Sequence, residues 1–302
     1  MPPLHALIAS WSPGMVSVAL ILLIGAGYFR CYLRARHGGE LQPVQAWSFG
    51  TGLVVWALAT LSVIAVYAPV LFWMRALQVL LLLFVAPFFL AMGRPVAVVR
   101  AATAEPGSRR LDALLGSSSA RVVCSPGVTS ALMLATPWLL YLTPWYVASL
   151  VNGLVSEVTR ILLLLIGFGY FYARLQADPV PRRYSPLLSI GISVVETLGD
   201  GLLGLVLWLG PVIAHDYYAG LHRTWGPSMR TDQSVGAGIL WILGDVLGLP
   251  FLLVLMRALG THEKAVADEA DEADRTGDGA EAGPGTTALW WESDPQLRDR
   301  FG

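Results

Sequence analysis

Seven stretches of the chain are almost entirely apolar, and polar or charged residues separate them. A helix needs about 20 apolar residues to cross the hydrocarbon core of a membrane. The stretches meet that length and cover residues 13–31, 47–68, 71–92, 128–148, 152–174, 187–213 and 235–256. This pattern predicts an all-α integral membrane protein, a bundle of seven transmembrane helices. The longest connection, residues 93–127, is rich in Gly and Ser, and we expect one short interfacial helix in it.

The arginines of the connections alternate between the two sides of the predicted bundle. The first, third and fifth connections hold most of them: Arg34, Arg36, Arg94, Arg100, Arg109, Arg110, Arg121, Arg174, Arg182 and Arg183. The second and fourth connections hold none, and the sixth holds only Arg223 and Arg230. Because cytoplasmic loops are the ones enriched in Lys and Arg, the N-terminus is predicted outside and the C-terminus in the cytoplasm.

Composition agrees with the membrane class and excludes others. Hydrophobic residues make up 55% of the chain and charged residues 14%, with a mean hydropathy of +0.60, so lipid is an expected partner. The basic residues are scattered and form no basic helix, so nucleic acid is not an expected partner. There is no Ser/His/Asp or Cys/His set, phosphate loop or paired carboxylate site in an aqueous cleft, and we expect no enzymatic activity.

Charge divides the chain into two predicted domains. Residues 1–257 would form the transmembrane domain. Residues 258–302 hold four cations and eleven anions, for a net charge of −7, and have too little apolar surface to fold. We expect them to form a mostly disordered cytoplasmic tail that ends in a WWESDP motif. A membrane scaffold that recruits a partner through this tail is one alternative function.

Six charged residues fall inside predicted helices, where an unpaired ion is costly. Three lie in the outer halves of their helices: Arg75, Glu157 and Arg160. Three lie near the middle of the bilayer: Glu196 and Asp200, one turn apart on one face, and Asp245. In one interpretation the arginines pair with Glu157 and lock the helices together. In the other, the carboxylates line the route of a small transporter or proton-coupled channel.

Two histidines form a candidate metal site. His215 and His222 are seven residues apart in IAHDYYAGLHRTWG, so a continuing helix would place both on one face at the outer surface. With Asp216 and Met229 nearby, such a pair could bind copper or another transition metal. The alternative is that both are polar interfacial residues.

Aromatic residues cluster at the predicted outer ends of the helices: Trp73, Trp145, Tyr146, Tyr217 and Tyr218. Amphipathic rings prefer the level of the lipid headgroups. The alternative for each ring is that it packs between helices.

Three motifs together resemble the CtaG family of cytochrome c oxidase assembly factors. The stretch LQVLLLLFVAPFFLAMGRP is similar to that family's third helix, and SEVTRILLLLIGFGYFYARLQADPVP is similar to its fifth. The stretch YYAGLHRTWGPSMRTDQSVGAGILWILGD resembles the family's Asp-Gln and Trp-x-x-Gly-Asp signature: Asp232, Gln233, Gly236, Gly238, Trp241, Gly244 and Asp245. The resemblance covers residues 45–257. It implies a bacterial plasma-membrane protein that contacts subunits of cytochrome c oxidase during assembly.

The chain departs from the family pattern at the positions that would handle metal. Aligned on Pro87, the family's two histidines in helix three fall on Arg75 and Val79, with Gln78 retained between them. Aligned on Gly167, its two histidines in helix five fall on Ser156 and Arg160, and Thr159 stands where the family has an acid. A guanidinium group has no lone pair for a metal. We therefore expect a divergent member in which copper delivery does not carry over and the arginines form a charged cluster.

Overall fold

The apolar stretches fold into helices, and several are broken where proline or an extended residue interrupts them. The computed structural model describes residues 14–36, 41–103, 105–175 and 186–243, all within the unit Met1–Met256. Every regular element in these ranges is helical: α1 (Met15–Ala35), α2 (Pro43–Leu61), α3 (Val63–Tyr67), α4 (Phe72–Leu80), α5 (Ala86–Met92), α6 (Pro95–Ala102), α7 (Glu105–Leu115), α8 (Ser118–Val123), α9 (Pro126–Leu142), α10 (Trp145–Val151), α11 (Gly153–Leu175), α12 (Pro186–Leu209), α13 (His215–Gly220) and α14 (Met229–Gly238). Two π-helical turns, Leu81–Val85 and Ile239–Leu243, follow α4 and α14.

Four helical stretches of the described ranges are long and apolar enough to cross a membrane: Met15–Ala35, Pro43–Tyr67, Phe72–Ala102 and Gly153–Leu175. They coincide with the first, second, third and fifth predicted spans. Gly127–Leu142 is a shorter apolar helix, and the seventh predicted span is described only to residue 243. The all-helical membrane class is confirmed, and the count of seven spans stays a prediction.

The outer surfaces of these helices are apolar. Large aliphatic side chains stand exposed on several of them: Leu22, Leu23, Val54, Leu165 and Leu198. A monomer in water rarely exposes so much contiguous apolar surface, whereas lipid tails match it without cost.

Proline interrupts the third predicted span. Pro87 has no amide hydrogen, so the carbonyl of Leu83 loses its usual helical donor, and the helix widens into the π-helical turn Leu81–Val85. Helix α11 crosses at this point, where Gly167 faces the Leu83 carbonyl, and a Cβ on Gly167 would lie 2.7 Å from Pro87 Cγ. Gly167 and Pro87, which belong to two different sequence motifs, thus pack against each other where α11 crosses α5.

The fourth predicted span is also broken. Helix α9 ends at Leu142, Thr143 adopts an extended conformation, and α10 begins at Trp145. The separate helix α10 brings Ser149 against α4, as described below.

The connection between the third and fourth predicted spans contains three short helices, so the prediction of one interfacial helix was wrong. Helix α5 stops at Gly93, because Arg94 takes a left-handed conformation (φ 50°) and Pro95 begins α6. Side-chain caps at Ser117 and Ser125 start α8 and α9: Ser117 accepts the amide of Ala120, and Ser125 accepts that of Val128. Local capping, which hydropathy does not register, divides this connection.

Candidate functional site: two buried charge clusters

Arg75 is buried in the first turn of α4, with 2% of its surface exposed. Its guanidinium donates to Gln78 Oε1 at 2.7 Å and to Ser149 Oγ on α10 at 2.8 Å. Gln78 in turn donates from Nε2 to the carbonyl of Ala59 at 2.7 Å. Arg75 therefore joins α4 to α2 and α10 through neutral partners. Among the described residues it forms no ion pair, and its Nε has no acceptor.

Three aromatic rings form a group near Arg75, whose charge acts on Tyr141 and Tyr146. The rings of Phe72, Tyr141 and Tyr146 contact one another at centroid distances of 5.3 to 5.8 Å. The hydroxyls of Tyr146 and Tyr218 share a hydrogen bond of 2.7 Å. Tyr146 and Tyr218 are thus buried packing residues, which favours the alternative of packing between helices for both.

Arg160 on α11 forms an ion pair with Glu157, the carboxylate that one interpretation paired with both Arg75 and Arg160. Its Nη1 lies 2.7 Å from Glu157 Oε1, and the other oxygen of Glu157 accepts from Ser17 Oγ of α1 at 3.1 Å. The guanidinium groups of Arg75 and Arg160 are close enough to repel each other. The five residues Arg75, Gln78, Ser149, Glu157 and Arg160, called here the Arg75 cluster, therefore carry two cations and one anion.

The other motif positions near this cluster are occupied by packing residues. Thr159 stands where the family has an acid, and its hydroxyl accepts Trp145 Nε1 at 2.9 Å and donates to the carbonyl of Val155. Val79 is buried in the core, and Ser156 lies half-buried in the first turn of α11. None of these three side chains carries an imidazole or a thiolate that could bind a metal.

Asp232 of α14 caps the start of α4. Its Oδ1 accepts the amide of Trp73 at 3.1 Å, and its Oδ2 pairs with Arg223 at 3.3 Å. A carboxylate is favourable at a helix N-terminus, where amides lack partners. Burial raises the pKa of Asp232, against the lowering effect of the Trp73 and Phe72 amides and the Arg223 guanidinium. The Asp of the signature is therefore a buried structural cap.

Gln233, the next residue of the signature, forms hydrogen bonds to the backbone at the end of α12 and in the turn after it. Its Nε2 donates to the carbonyls of Leu207 and Pro211 at 2.7 and 2.8 Å, and its Oε1 accepts the amide of Ile213 at 2.6 Å. These three bonds close the turn after α12 onto α14. The adjacent cavity, lined by Phe72, Ile213, Tyr218, Met229, Asp232 and Gln233, is no larger than one water molecule, so no substrate fits there.

Gly236 and Gly238 of the same signature have different surroundings, so alanine substitutions at the two positions should have opposite effects on stability. A Cβ on Gly236 would lie 2.7 Å from Phe72 Cε1, whereas a Cβ on Gly238 meets no atom within 4 Å. We expect Gly236→Ala to lower stability by about 2 kcal/mol through overpacking, and Gly238→Ala to raise it slightly because alanine favours helix. Thermal unfolding in detergent measures both. Equal effects of the two variants would contradict the close contact of α14 with α4.

A second buried cluster lies further along α11. Arg174, with 1% of its surface exposed, pairs with Glu196 Oε1 of α12 at 3.4 Å and donates to Ser130 Oγ of α9 at 3.0 Å. The Tyr170 hydroxyl donates to Glu196 Oε2 at 2.6 Å, and its ring lies 5.0 Å below the Arg174 guanidinium. These four residues, the Arg174 cluster, are roughly 21 Å from Arg160 along the helix axis. They join α9, α11 and α12.

The Arg174 cluster contains Glu196, one of the three carboxylates that were predicted to line a transport route. Glu196, which was expected to act with Asp200 and Asp245, accepts from both Tyr170 and Arg174. Asp200 lies one turn further along α12, half-buried, and Asp245 lies outside the described residues. A carboxylate held by an ion pair and a hydroxyl is a structural group, and this favours the interpretation in which charges lock the helices.

The histidine pair does not share a helix face. Helix α13 ends at Gly220, and His222 takes a left-handed conformation with φ 46°, so the condition for a site with i, i+7 spacing is not met. His215 lies exposed with Nδ1 3.1 Å from Asp216 Oδ1. Within the described residues no group of three or more His, Cys, Asp or Glu side chains gathers to hold a metal.

The Arg75 cluster does not fit copper. Its donor set is two guanidinium groups, an amide, a hydroxyl and one carboxylate that is already paired with Arg160. Copper sites use imidazole and thioether or thiolate ligands, and guanidinium offers no lone pair. The side chains of the Arg75 cluster are engaged in a hydrogen-bonded network that includes no imidazole, thioether or thiolate group.

Three residues that bond to predicted site residues were not identified from sequence: Ser149 bonds to Arg75, Arg174 to Glu196 and Arg223 to Asp232. Ser149 was placed in a loop between spans, Arg174 was counted as a cytoplasmic loop charge, and Arg223 was counted as an outer loop charge. The signal for Arg174 was present, since it lies within one turn of Tyr170 and at the end of an apolar run. Its pairing with Glu196 depends on how α11 and α12 pack.

Comparison with known proteins agrees with the motifs. A family model described as cytochrome c oxidase caa3 assembly factor (Caa3_CtaG) matches residues 26–260, which is more than half of the chain. An uncharacterized protein of Mycobacterium leprae is 27% identical over 270 residues, covering 85% of this chain and 41% of the relative. Uncharacterized proteins of Mycobacterium bovis and Mycobacterium tuberculosis are each 24% identical over 281 residues, covering 89% of this chain and 42% of the relative.

The chain thus spans about two-fifths of the length of the curated relatives it matches. No solved structure matches it. The family match begins before α2 and includes both charge clusters and the Asp-Gln signature. The chain belongs to the family of cytochrome c oxidase caa3 assembly factors, Caa3_CtaG.

Proposed function

We propose that this protein acts in the assembly or stabilisation of a bacterial cytochrome c oxidase. The observation that carries the proposal is the family match over residues 26–260. The mechanism is contact with oxidase subunits through lateral helix faces, and the exposed aliphatic side chains on α1, α11 and α12 suit such contacts within lipid. No catalytic step is part of this role.

The proposed topology has seven spans, with the N-terminus outside and the C-terminus in the cytoplasm of a bacterial plasma membrane. The alternation of arginines between connections supports it, and the relatives named above are bacterial. This topology puts the Arg75 cluster at the outer end of the bundle. The acidic tail, residues 258–302, is proposed to be a separate cytoplasmic segment that carries the WWESDP motif.

We propose further that this member works without copper at the Arg75 cluster. The support is the donor set, in which Arg75 and Arg160 replace family histidines and are already engaged by Gln78, Ser149 and Glu157. The helices are instead held by hydrogen bonds and one ion pair.

The test of the assembly role is the absorbance of a-type haem in membranes of a strain that lacks the gene. We expect the absorbance to fall, and to return when the intact gene is supplied but not when copper is added to the medium. Unchanged oxidase spectra in the deletion strain would overturn the assembly role. Recovery with copper alone would overturn the copper-independent mechanism and leave the assembly role standing.

The copper content of the purified protein tests the metal proposal directly. We expect substoichiometric copper in the wild-type protein and no change in the variant carrying His215→Ala and His222→Ala, because these histidines do not share a helix face. Stoichiometric copper that is lost in the double variant would place the metal at the histidines. Copper that is lost only on changing Gln78 or Ser149 would place it at the Arg75 cluster.

A further inference from the structure

The helices α6, α7 and α8 form a basic segment on one side of the bundle. Residues 94–124 contain five arginines and two carboxylates, hence a net charge of +3. Both carboxylates are neutralised within the segment: Asp112 lies 3.1 Å from Arg100, and Glu105 lies 2.9 Å from Arg109. The net charge of +3 therefore comes from the three arginines that these carboxylates do not neutralise: Arg94, Arg110 and Arg121.

Two of the remaining arginines are exposed. Arg110 on α7 and Arg121 on α8 form no ion pair with any residue that the structure describes. Arg121 donates only to the Ser118 hydroxyl of its own helix, at 3.2 Å. Both side chains are therefore available to an anionic group outside the chain.

Apolar side chains stand exposed beside these arginines. Leu114 is 67% exposed, and Val122 and Val123 are each 61% exposed. Leu114 lies one turn after Arg110 on α7, so the two share a helix face. Val122 and Val123 are the two residues after Arg121 at the end of α8. Exposed aliphatic side chains next to unpaired arginines are typical of helices that lie in a membrane interface.

The position of the segment in the chain favours lipid as the occupant. The apolar stretch Phe72–Ala102 includes α6 and ends shortly before α7, and the apolar helix Gly127–Leu142 follows α8. Both ends of the segment are thus tied to membrane helices, which keeps 94–124 near the membrane surface. An arginine side chain can keep its stem along apolar surface while its head reaches a phosphate.

We propose that α7 and α8 bind the membrane surface and recognise anionic phospholipid headgroups. Leu114, Val122 and Val123 insert at the boundary between headgroups and acyl chains, and Arg110 and Arg121 contact lipid phosphates. The interaction is independent of oxidase assembly and holds whether or not that role is correct. A soluble protein partner for the same surface is the competing outcome of the test.

The test uses full-length protein in nanodiscs of phosphatidylcholine with increasing phosphatidylglycerol. In a background carrying Cys31→Ser and Cys124→Ser, a polarity-sensitive dye is attached at Leu114→Cys or Val123→Cys. Its quenching by lipids with a nitroxide on the acyl chain is then measured. We expect quenching to rise several-fold with phosphatidylglycerol. The same dye at Asp216→Cys, which is fully exposed elsewhere in the chain, should stay unquenched at every composition.

Charge variants separate lipid recognition from simple insertion. The double variant Arg110→Gln with Arg121→Gln is expected to need more phosphatidylglycerol, with an apparent affinity roughly 25-fold lower, because each arginine contributes roughly fivefold. Arg109→Gln is the matched control, since Glu105 already neutralises Arg109. No effect of the double variant would overturn headgroup recognition. A dye that stays unquenched in every nanodisc would overturn membrane binding and leave the surface to a protein partner.

Discussion

Glu196→Leu is expected to lower the stability of the protein by about 3–5 kcal/mol, because it removes the carboxylate that pairs with the buried Arg174 guanidinium. Arg174 is almost fully enclosed, and it also donates to Ser130 Oγ. The Tyr170 hydroxyl would lose its acceptor as well. Thermal unfolding in detergent, followed by circular dichroism, measures the loss.

The second variant of this experiment removes both charges. Arg174→Met combined with Glu196→Leu should recover much of the stability, since replacing a buried pair by apolar groups is often neutral. Glu105→Gln is the exposed control and is expected to cost less than about 1 kcal/mol, because its pair with Arg109 is solvated. A double variant as unstable as Glu196→Leu would contradict the ion pair as the source of the effect.

Gly167→Ala is expected to lower stability by about 3 kcal/mol or more, because the added methyl group would collide with the Leu83 carbonyl and with Pro87. The carbonyl belongs to the π-helical turn Leu81–Val85, which cannot move without shifting α4 and α5. The measured quantities are the yield of monodisperse protein and its unfolding temperature.

Gly169 provides the control for Gly167. It lies two residues further along α11, where an added Cβ meets no atom within 4 Å. Gly169→Ala should therefore raise stability by about 0.5–1 kcal/mol, since alanine has the higher helix propensity. If both alanine variants were equally stable, α11 would not cross at Leu83 as described.

The residues of the Arg75 cluster show how far sequence reasoning reached. The presence of arginine at positions 75 and 160, and the inability of a guanidinium group to bind copper, follow from residue identity alone. The expected pairing of Arg75 with Glu157 was wrong, because Arg160 lies one turn from Glu157 on α11 and takes its carboxylate. Arg75 turns instead to Ser149, which depends on the break between α9 and α10.

The Asp-Gln signature shows a different limit. Its residues were recognised as a motif from their resemblance to the CtaG family, but a resemblance does not state what each residue contacts. In the structure Asp232 caps α4 and Gln233 closes the turn after α12. Both partners are 20 or more residues away in sequence, so no local pattern could have indicated them.

The sequence by itself determined the membrane class, the helical content and the family resemblance, because each depends on residue type or on hydropathy summed over a local window. Only the tertiary structure decided which charges pair, where Tyr146 and Tyr218 lie, and how Gly167 meets the turn before Pro87. The physical reason is that hydropathy is nearly the same for many arrangements of neighbouring helices. A buried ion pair or a close contact at a glycine, in contrast, can form only when the helices pack in one particular arrangement.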